Sequence, residues 1–194
     1  MITETRELPQ FQSICFNMVG KVVYKSSSTK NSGIQITAEN DTCKKILTKV
    51  KNNCLYVYGN DIQTQSEIEF IIYSSMPLQE IVLDGVLSKG SQFDVGITKT
   101  LNITNNAVVN NLTIKGFVRQ CTIHSEGTGD IDATLLDADI ATLTQEGVGK
   151  LKMTVNSEVS TRLSGIGDIL VYGSAKCINN KKLGIGTITF KEKL

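Results

Sequence analysis

Four short stretches decide how this sequence folds: Glu126-Gly127-Thr128-Gly129-Asp130-Ile131, Glu146-Gly147-Val148-Gly149-Lys150-Leu151, Ser164-Gly165-Ile166-Gly167-Asp168-Ile169 and Leu183-Gly184-Ile185-Gly186-Thr187-Ile188. Their first glycines step by 20, 18 and 19 residues. A fixed period near 20 is the signature of a stacked array, in which each unit buries its apolar face only against its neighbours. Two weaker copies precede them, with Ala107-Val108-Val109 and Leu87-Ser88-Lys89 in the place of the Gly-x-Gly.

Around each Gly-x-Gly the apolar residues alternate, as a half-buried strand requires. Before the corner the inward series runs Ile81 and Leu83, Leu101 and Ile103, Cys121 and Ile123, Ile140 or Ala141 with Leu143, then Val159 and Leu163. After it come Ile131, Ala133 and Leu135, then Leu151, Met153 and Val155, then Ile169 and Val171, then Ile188 and Phe190. Each unit therefore reads as strand, glycine corner, strand. The expected fold is all-β: a parallel β-helix or solenoid with about six coils of 19–20 residues over 79–194, preceded by more irregular strands over 1–78, the whole forming one domain, 1–194. At the strand spacing of about 4.8 Å, six coils make a rod on the order of 30 Å long. Outward columns follow from the alignment, one of them Asp130, Lys150, Asp168 and Thr187, another Asn102, Thr122, Thr142, Ser160 and Asn179.

The paired glycines are read as structural corners: Gly127, Gly129, Gly147, Gly149, Gly165, Gly167, Gly184 and Gly186. A tight corner favours a residue without Cβ. A dinucleotide-binding reading fails, because that fingerprint needs a third glycine opening a helix, whereas strand-type alternation follows each pair here.

The first half has strand patterns at Phe11 to Val19, Val22 to Tyr24, Gly33 to Ala38, Leu55 to Tyr58 and Ile68 to Tyr73, with a polar loop over Ser26 to Ser32. Ile46, Leu47 and Val50 fall at helical spacing, so a short helix between Asp41 and Lys51 is expected, capped by Asp41 or Thr42.

Charge and composition exclude several function classes. Lys plus Arg number 20 and Asp plus Glu 19, a net charge of +1 that provides no field to gather nucleic acid. No apolar run approaches the roughly 18 residues of a membrane span. The opening Met1 to Glu7 is polar and reads as no signal peptide, which leaves either a cytoplasmic protein or one whose leader lies outside this chain. Five cysteines, Cys15, Cys43, Cys54, Cys121 and Cys177, form no metal-ligand spacing with the single histidine, His124, and read as free thiols. Cys121 and Cys177 are expected to be reduced and buried.

No catalytic constellation emerges, and no cofactor or metal is expected. Alternation turns His124 outward, among column neighbours Thr104, Thr144, Arg162 and Lys181, none of them a carboxylate. The acidic candidates are Asp130, Asp132, Asp137, Asp139 and Asp168, with Glu126 and Glu146 beside the corners; Asp130 and Asp168 stand two coils apart with Lys150 between them. A glycosidase needs a closer carboxylate pair in a sugar cleft, and the chain has no Trp for a sugar-stacking platform. Asn102, Asn105, Asn106, Asn110 and Asn111 crowd one coil, either taking over turn conformations from glycine or forming a ladder.

The order of features resembles a bacterial family of unknown function, the "putative auto-transporter adhesin, head GIN" domains. The resemblance rests on Arg6-Glu7-Leu8-Pro9-Gln10-Phe11, on Ala38-Glu39-Asn40 leading to Ile46-Leu47-Thr48-Lys49-Val50, on Leu55-Tyr56-Val57, on Leu78-Gln79-Glu80-Ile81 and on the recurring Gly-x-Gly-Asp-Ile turns. It implies a right-handed β-helix from a cell-envelope or secreted protein. It also implies a non-enzymatic scaffold or adhesion domain that presents a rigid face to a protein, a glycan or a copy of itself as a homo-oligomer. The competing expectation is a carbohydrate-active β-helix enzyme or polysaccharide-binding module.

Overall fold

The computed structural model describes residues 1–27, 31–60, 62 and 66–192. In chain order the strands are β1 (Ile2–Glu7), β2 (Ser13–Asn17), β3 (Val19–Ser26) and β4 (Gly33–Ala38), then a one-turn helix α1 (Asn40–Lys45). Next come β5 (Ile46–Lys51), β6 (Cys54–Gly59), β7 (Glu69–Ser74), β8 (Glu80–Leu83), β9 (Val86–Leu87) and β10 (Gln92–Asn105). The rest are β11 (Val108–Val109), β12 (Leu112–Ser125), β13 (Ile131–Gln145), β14 (Leu151–Leu163), β15 (Ile169–Tyr172), β16 (Lys176–Lys182) and β17 (Ile188–Lys191).

Parallel pairing stacks these strands into rungs. Ile103 pairs with Ile123, Ile123 with Leu143, and Ile131 with Leu151, so equivalent residues of successive repeats lie in register. The column Asn102, Thr122, Thr142, Ser160, Asn179 forms as the periodicity predicts. Six rungs come from the second half, and the β-solenoid is the architecture observed.

The first half adds two rungs, in an order that the sequence does not display. Strands β2 and β3 lie between β6 and β7 on one side and β8 and the start of β10 on the other. The spatial order of the first three rungs is therefore 54–74, 13–26, 80–94. Beyond the first rung the pairing turns antiparallel: β5 on β6, β4 on β7, and β1 on β4. Helix α1 tucks Thr42 and Cys43 inside at this end. Arg6 holds it there, donating to the carbonyls of Ile46 at 2.8 Å and Cys43 at 3.2 Å, which gives the helix C-terminus the partners its free carbonyls need. The same guanidinium, bonded to Glu4 at 2.7 Å, holds that carboxyl below its usual range.

Three expectations are corrected here, and one of them is Leu135, which is 64% exposed rather than inward because its neighbour Leu136 takes the buried place. The helix stops at Lys45, with Glu39 as its N-cap residue, and Ile46, Leu47 and Val50 belong to strand β5. Apolar spacing in so short a run fits either state, and pairing with β6 decides it. Phe190 is 40% exposed rather than inward, and every residue of β16 is exposed, because no further rung covers them among the described residues. In the polar loop, residues 28–30 lie outside the described residues.

One apolar cluster runs the length of the stack, from Phe11 through Leu101, Ile123 and Leu143 to Val171. The first rungs are filled by aromatics, Phe16 meeting Phe70 edge-on at 5.0 Å and Tyr24 stacking on Phe93 at 6.0 Å. Later rungs use Ala133, Ala141, Met153 and Val159, all fully buried. Burying each large aliphatic side chain contributes about 2 kcal/mol. The core thus also sets which residues are left to face outward.

Candidate functional site

The corners carry the most regular outward feature of the rod. The middle residue of each Gly-x-Gly bridges to its counterpart one rung away, Thr128 to Val148, Val148 to Ile166 and Ile166 to Ile185. The same column continues upward through Val108, Val86 and Val19. Six of its seven members are Val or Ile, and these six are 43% to 71% exposed. Val148, Ile166 and Ile185 stand outward between glycines whose places are too crowded for a Cβ. A Cβ on Gly165 would overlap the Gly147 carbonyl oxygen, and Gly167 has φ +137°, a region that L side chains rarely adopt. Backbone bonds of 2.9 to 3.0 Å from Val148, Ile166 and Ile185 to the preceding rung hold the column straight.

At its upper end the column opens into a groove of about 1140 Å³, floored by Met18, Val19, Val86 and Val108 and bordered by Glu39 and Asp84. Asp84 accepts a hydrogen bond from Asn106 at 2.8 Å, and Glu39 one from Ser66 at 2.7 Å.

Asp130, Asp168 and Asp132 are occupied in holding rungs together. Asp130 Oδ1 accepts from the backbone N–H of Lys150 at 2.8 Å. Asp168 Oδ1 accepts from Thr187 in the same position one pair of rungs on. Asp132 accepts from Thr134 and faces Lys152 at 3.9 Å. The asparagines divide: Asn111 takes the left-handed turn conformation with φ +59°, whereas Asn105 is buried and donates across the stack to Ser125 at 3.1 Å.

His124 is corrected. Its strand neighbours are Thr104 and Thr144 as expected, but Glu126 lies 2.8 Å from its Nε2. The donor atoms of His124, Glu126 and Glu146 all fall within 4.8 Å of one another. Glu146 is itself flanked by Arg162 at 3.5 Å and Ser164 at 3.3 Å. Strand columns alone miss this group, because Glu126 and Glu146 lie just past the strand ends, where the chain bends back toward the imidazole. The signal available was the spacing His-x-Glu beside a corner whose next copy also carries Glu.

The thiols are free. Cys121 is buried, and burial pushes its thiol up to about 12. Cys177 is exposed, contrary to expectation, because it sits on β16. Cys15 and Cys54 approach to 3.1 Å, and burial followed by the hydrogen bond to Cys54 raises Cys15 to about 12.

Comparison with known proteins agrees with the stack. No curated protein matches the chain. Among solved structures, a putative adhesin from Bacteroides fragilis NCTC 9343 is similar, with a TM-score of 0.67 at 23% identity over 98% of this chain and 96% of that one. A putative adhesin from Parabacteroides merdae ATCC 43184 superposes less closely, with a TM-score of 0.47 at 16% identity over 98% of this chain and 95% of that one. A family described as "Putative auto-transporter adhesin, head GIN domain" matches residues 10–175, which take in seven of the eight rungs almost completely, and the chain belongs to that family.

Proposed function

We propose that this chain, taken as one unit over 1–194, is a non-enzymatic adhesion scaffold of the bacterial cell envelope or exterior, and that its working surface is the aliphatic corner column. One observation carries the reading: six exposed Val and Ile side chains stand in a single file from Val19 to Ile185, interrupted once, by Thr128. Contiguous exposed apolar surface of this kind marks interaction sites on proteins. A rod also keeps such a file rigid, so little ordering entropy opposes docking. The family to which the chain belongs is described by adhesion, and this supports the same reading.

The partner is a protein, a glycan or a second copy of the chain. A carbohydrate-active enzyme is disfavoured, because Asp130 and Asp168 are engaged with backbone N–H groups rather than converging on a cleft. Among the described residues no helix is long and apolar enough to cross a membrane.

The test combines location with binding. Surface proteolysis of intact source cells should degrade the protein, and immobilised protein should capture a ligand from a panel of extracellular proteins and polysaccharides. Capture should be lost in the Val148→Asp/Ile166→Asp variant. Protection inside intact cells, polysaccharide cleavage, or capture indifferent to that variant would overturn the proposal.

A further inference from the structure

We propose that His124, Glu126 and Glu146 form a binding site for a divalent first-row transition ion, with zinc as the ion whose chemistry fits. This departs from the sequence expectation of no metal site and is independent of the adhesion reading.

The argument starts from the stacking. Glu126 and Glu146 occupy the same position on consecutive rungs, fixed by backbone bonds from Glu126 to Asn105 at 2.9 Å and from Glu146 to Ser125 at 2.8 Å. Rung spacing holds their backbones about 4.8 Å apart, and like charges so placed repel. The next rungs avoid the repetition, with Ser164 and then Leu183 in that column. The stacked acids thus coincide with the chain's only histidine, whose Nε2 lies 2.8 Å from Glu126 Oε1.

An imidazole nitrogen and two carboxylate oxygens are a mixed donor set. It suits zinc and its neighbours, whereas calcium and magnesium favour oxygen alone. In a tetrahedral site with bonds near 2.1 Å, ligand atoms lie about 3.4 Å apart. The three donors already fall within 4.8 Å of one another, so small rotations of the exposed Glu126 and Glu146 side chains toward the half-buried His124 close the gap. Three protein ligands leave a fourth position for water or for a group from a partner. Arg162, 3.5 Å from Glu146 Oε1, offsets part of the charge of the stacked pair. A bound ion neutralises the stacked pair and ties the rung carrying His124 to the one after it.

The chain's single histidine makes the test direct, provided that the protein carries no affinity tag. After chelator treatment and exchange, the one set of imidazole NMR resonances is followed during titration with zinc chloride. Saturable displacement is expected, with calcium chloride leaving the ring unmoved. Zinc held by the cysteines does not displace this ring. Glu126→Gln and Glu146→Gln should each weaken zinc binding by at least about tenfold, the lower end of what losing even an outer-shell partner costs. Both positions are exposed, so the variants should retain the wild-type circular dichroism spectrum. A ring unmoved by excess zinc overturns the proposal. So does equal displacement in the Glu126→Gln/Glu146→Gln double variant, which would reduce the site to a lone imidazole.

Discussion

Asp168 accepts two hydrogen bonds from Thr187, one from its hydroxyl at 2.7 Å and one from its backbone N–H at 2.9 Å, and so ties the last rung to the one before it. These bonds hold its carboxyl below the usual range, the hydroxyl bond contributing most. A carboxyl whose folded value is lowered stabilises the fold above its unfolded value of about 3.9 and loses that contribution as pH falls through the folded value. Asp168→Ala should therefore lower the melting temperature at neutral pH, and the gap from wild type should narrow as the pH falls below the unfolded value of about 3.9. A gap that is constant across this range would mean that the charge plays no part.

The corner glycines are expected to be intolerant because a Cβ at either place meets a carbonyl of the preceding rung, and at Gly167 the left-handed backbone adds to this. Gly165→Val drives a Cβ into the Gly147 carbonyl, and Gly167→Val forces a branched side chain into φ +137°. Each should cost about 3 kcal/mol in urea denaturation. Gly90→Ala supplies the control: φ is +85° there, but the nearest atom to a new Cβ is a Lys21 side-chain carbon at 3.5 Å. It should cost less than either corner change. Equal losses at all three positions would mean that the carbonyl overlaps at the corners add no cost of their own.

Thiol labelling separates the two cysteines that the sequence treats alike. Cys177 should react with an alkylating reagent within the mixing phase at mildly alkaline pH, and Cys177→Ser should abolish that phase. Cys121, buried with its thiol pushed up to about 12, should react only on unfolding. Mass spectrometry of the labelled peptides reads both outcomes.

Self-association is expected through the aliphatic column. In light scattering, the apparent mass of the wild type should rise with concentration, while Ile166→Asp/Ile185→Asp should stay monomeric. Both side chains are more than half exposed, so the fold itself should change by no more than about 0.5 kcal/mol. A variant that associates like wild type would move the contact elsewhere.

The second half of the fold was legible because its information is local. Four rungs repeat the same glycine corner, so aligning Gly127, Gly147, Gly165 and Gly184 already fixes the register in which Thr122 meets Thr142 and Ser160. The first half hides its order because Ile14 pairs with both Leu55 and Ile81, contacts that no periodicity announces. Strand β5 was misread for the same reason: what makes Ile46 to Lys51 extended is the distant partner β6, not its own pattern. At the candidate site, alternation placed His124 outward correctly. Its carboxylate partners went unseen, because a column describes strands and Glu126 and Glu146 lie where strands end.

The placing of residues 13–26 between 54–74 and 80–94 has a consequence for how the rod can be shortened. Loss of the last rung removes 176–191 and leaves every earlier pairing in place. Loss of the first 26 residues withdraws an inner layer instead, and leaves β6 and β7 without the neighbour that joins them to β8 and β10. Proteolysis from the two ends should therefore be unequal, gradual from one and all-or-none from the other. The chain's earliest residues act as the keystone, not the threshold, of the stack.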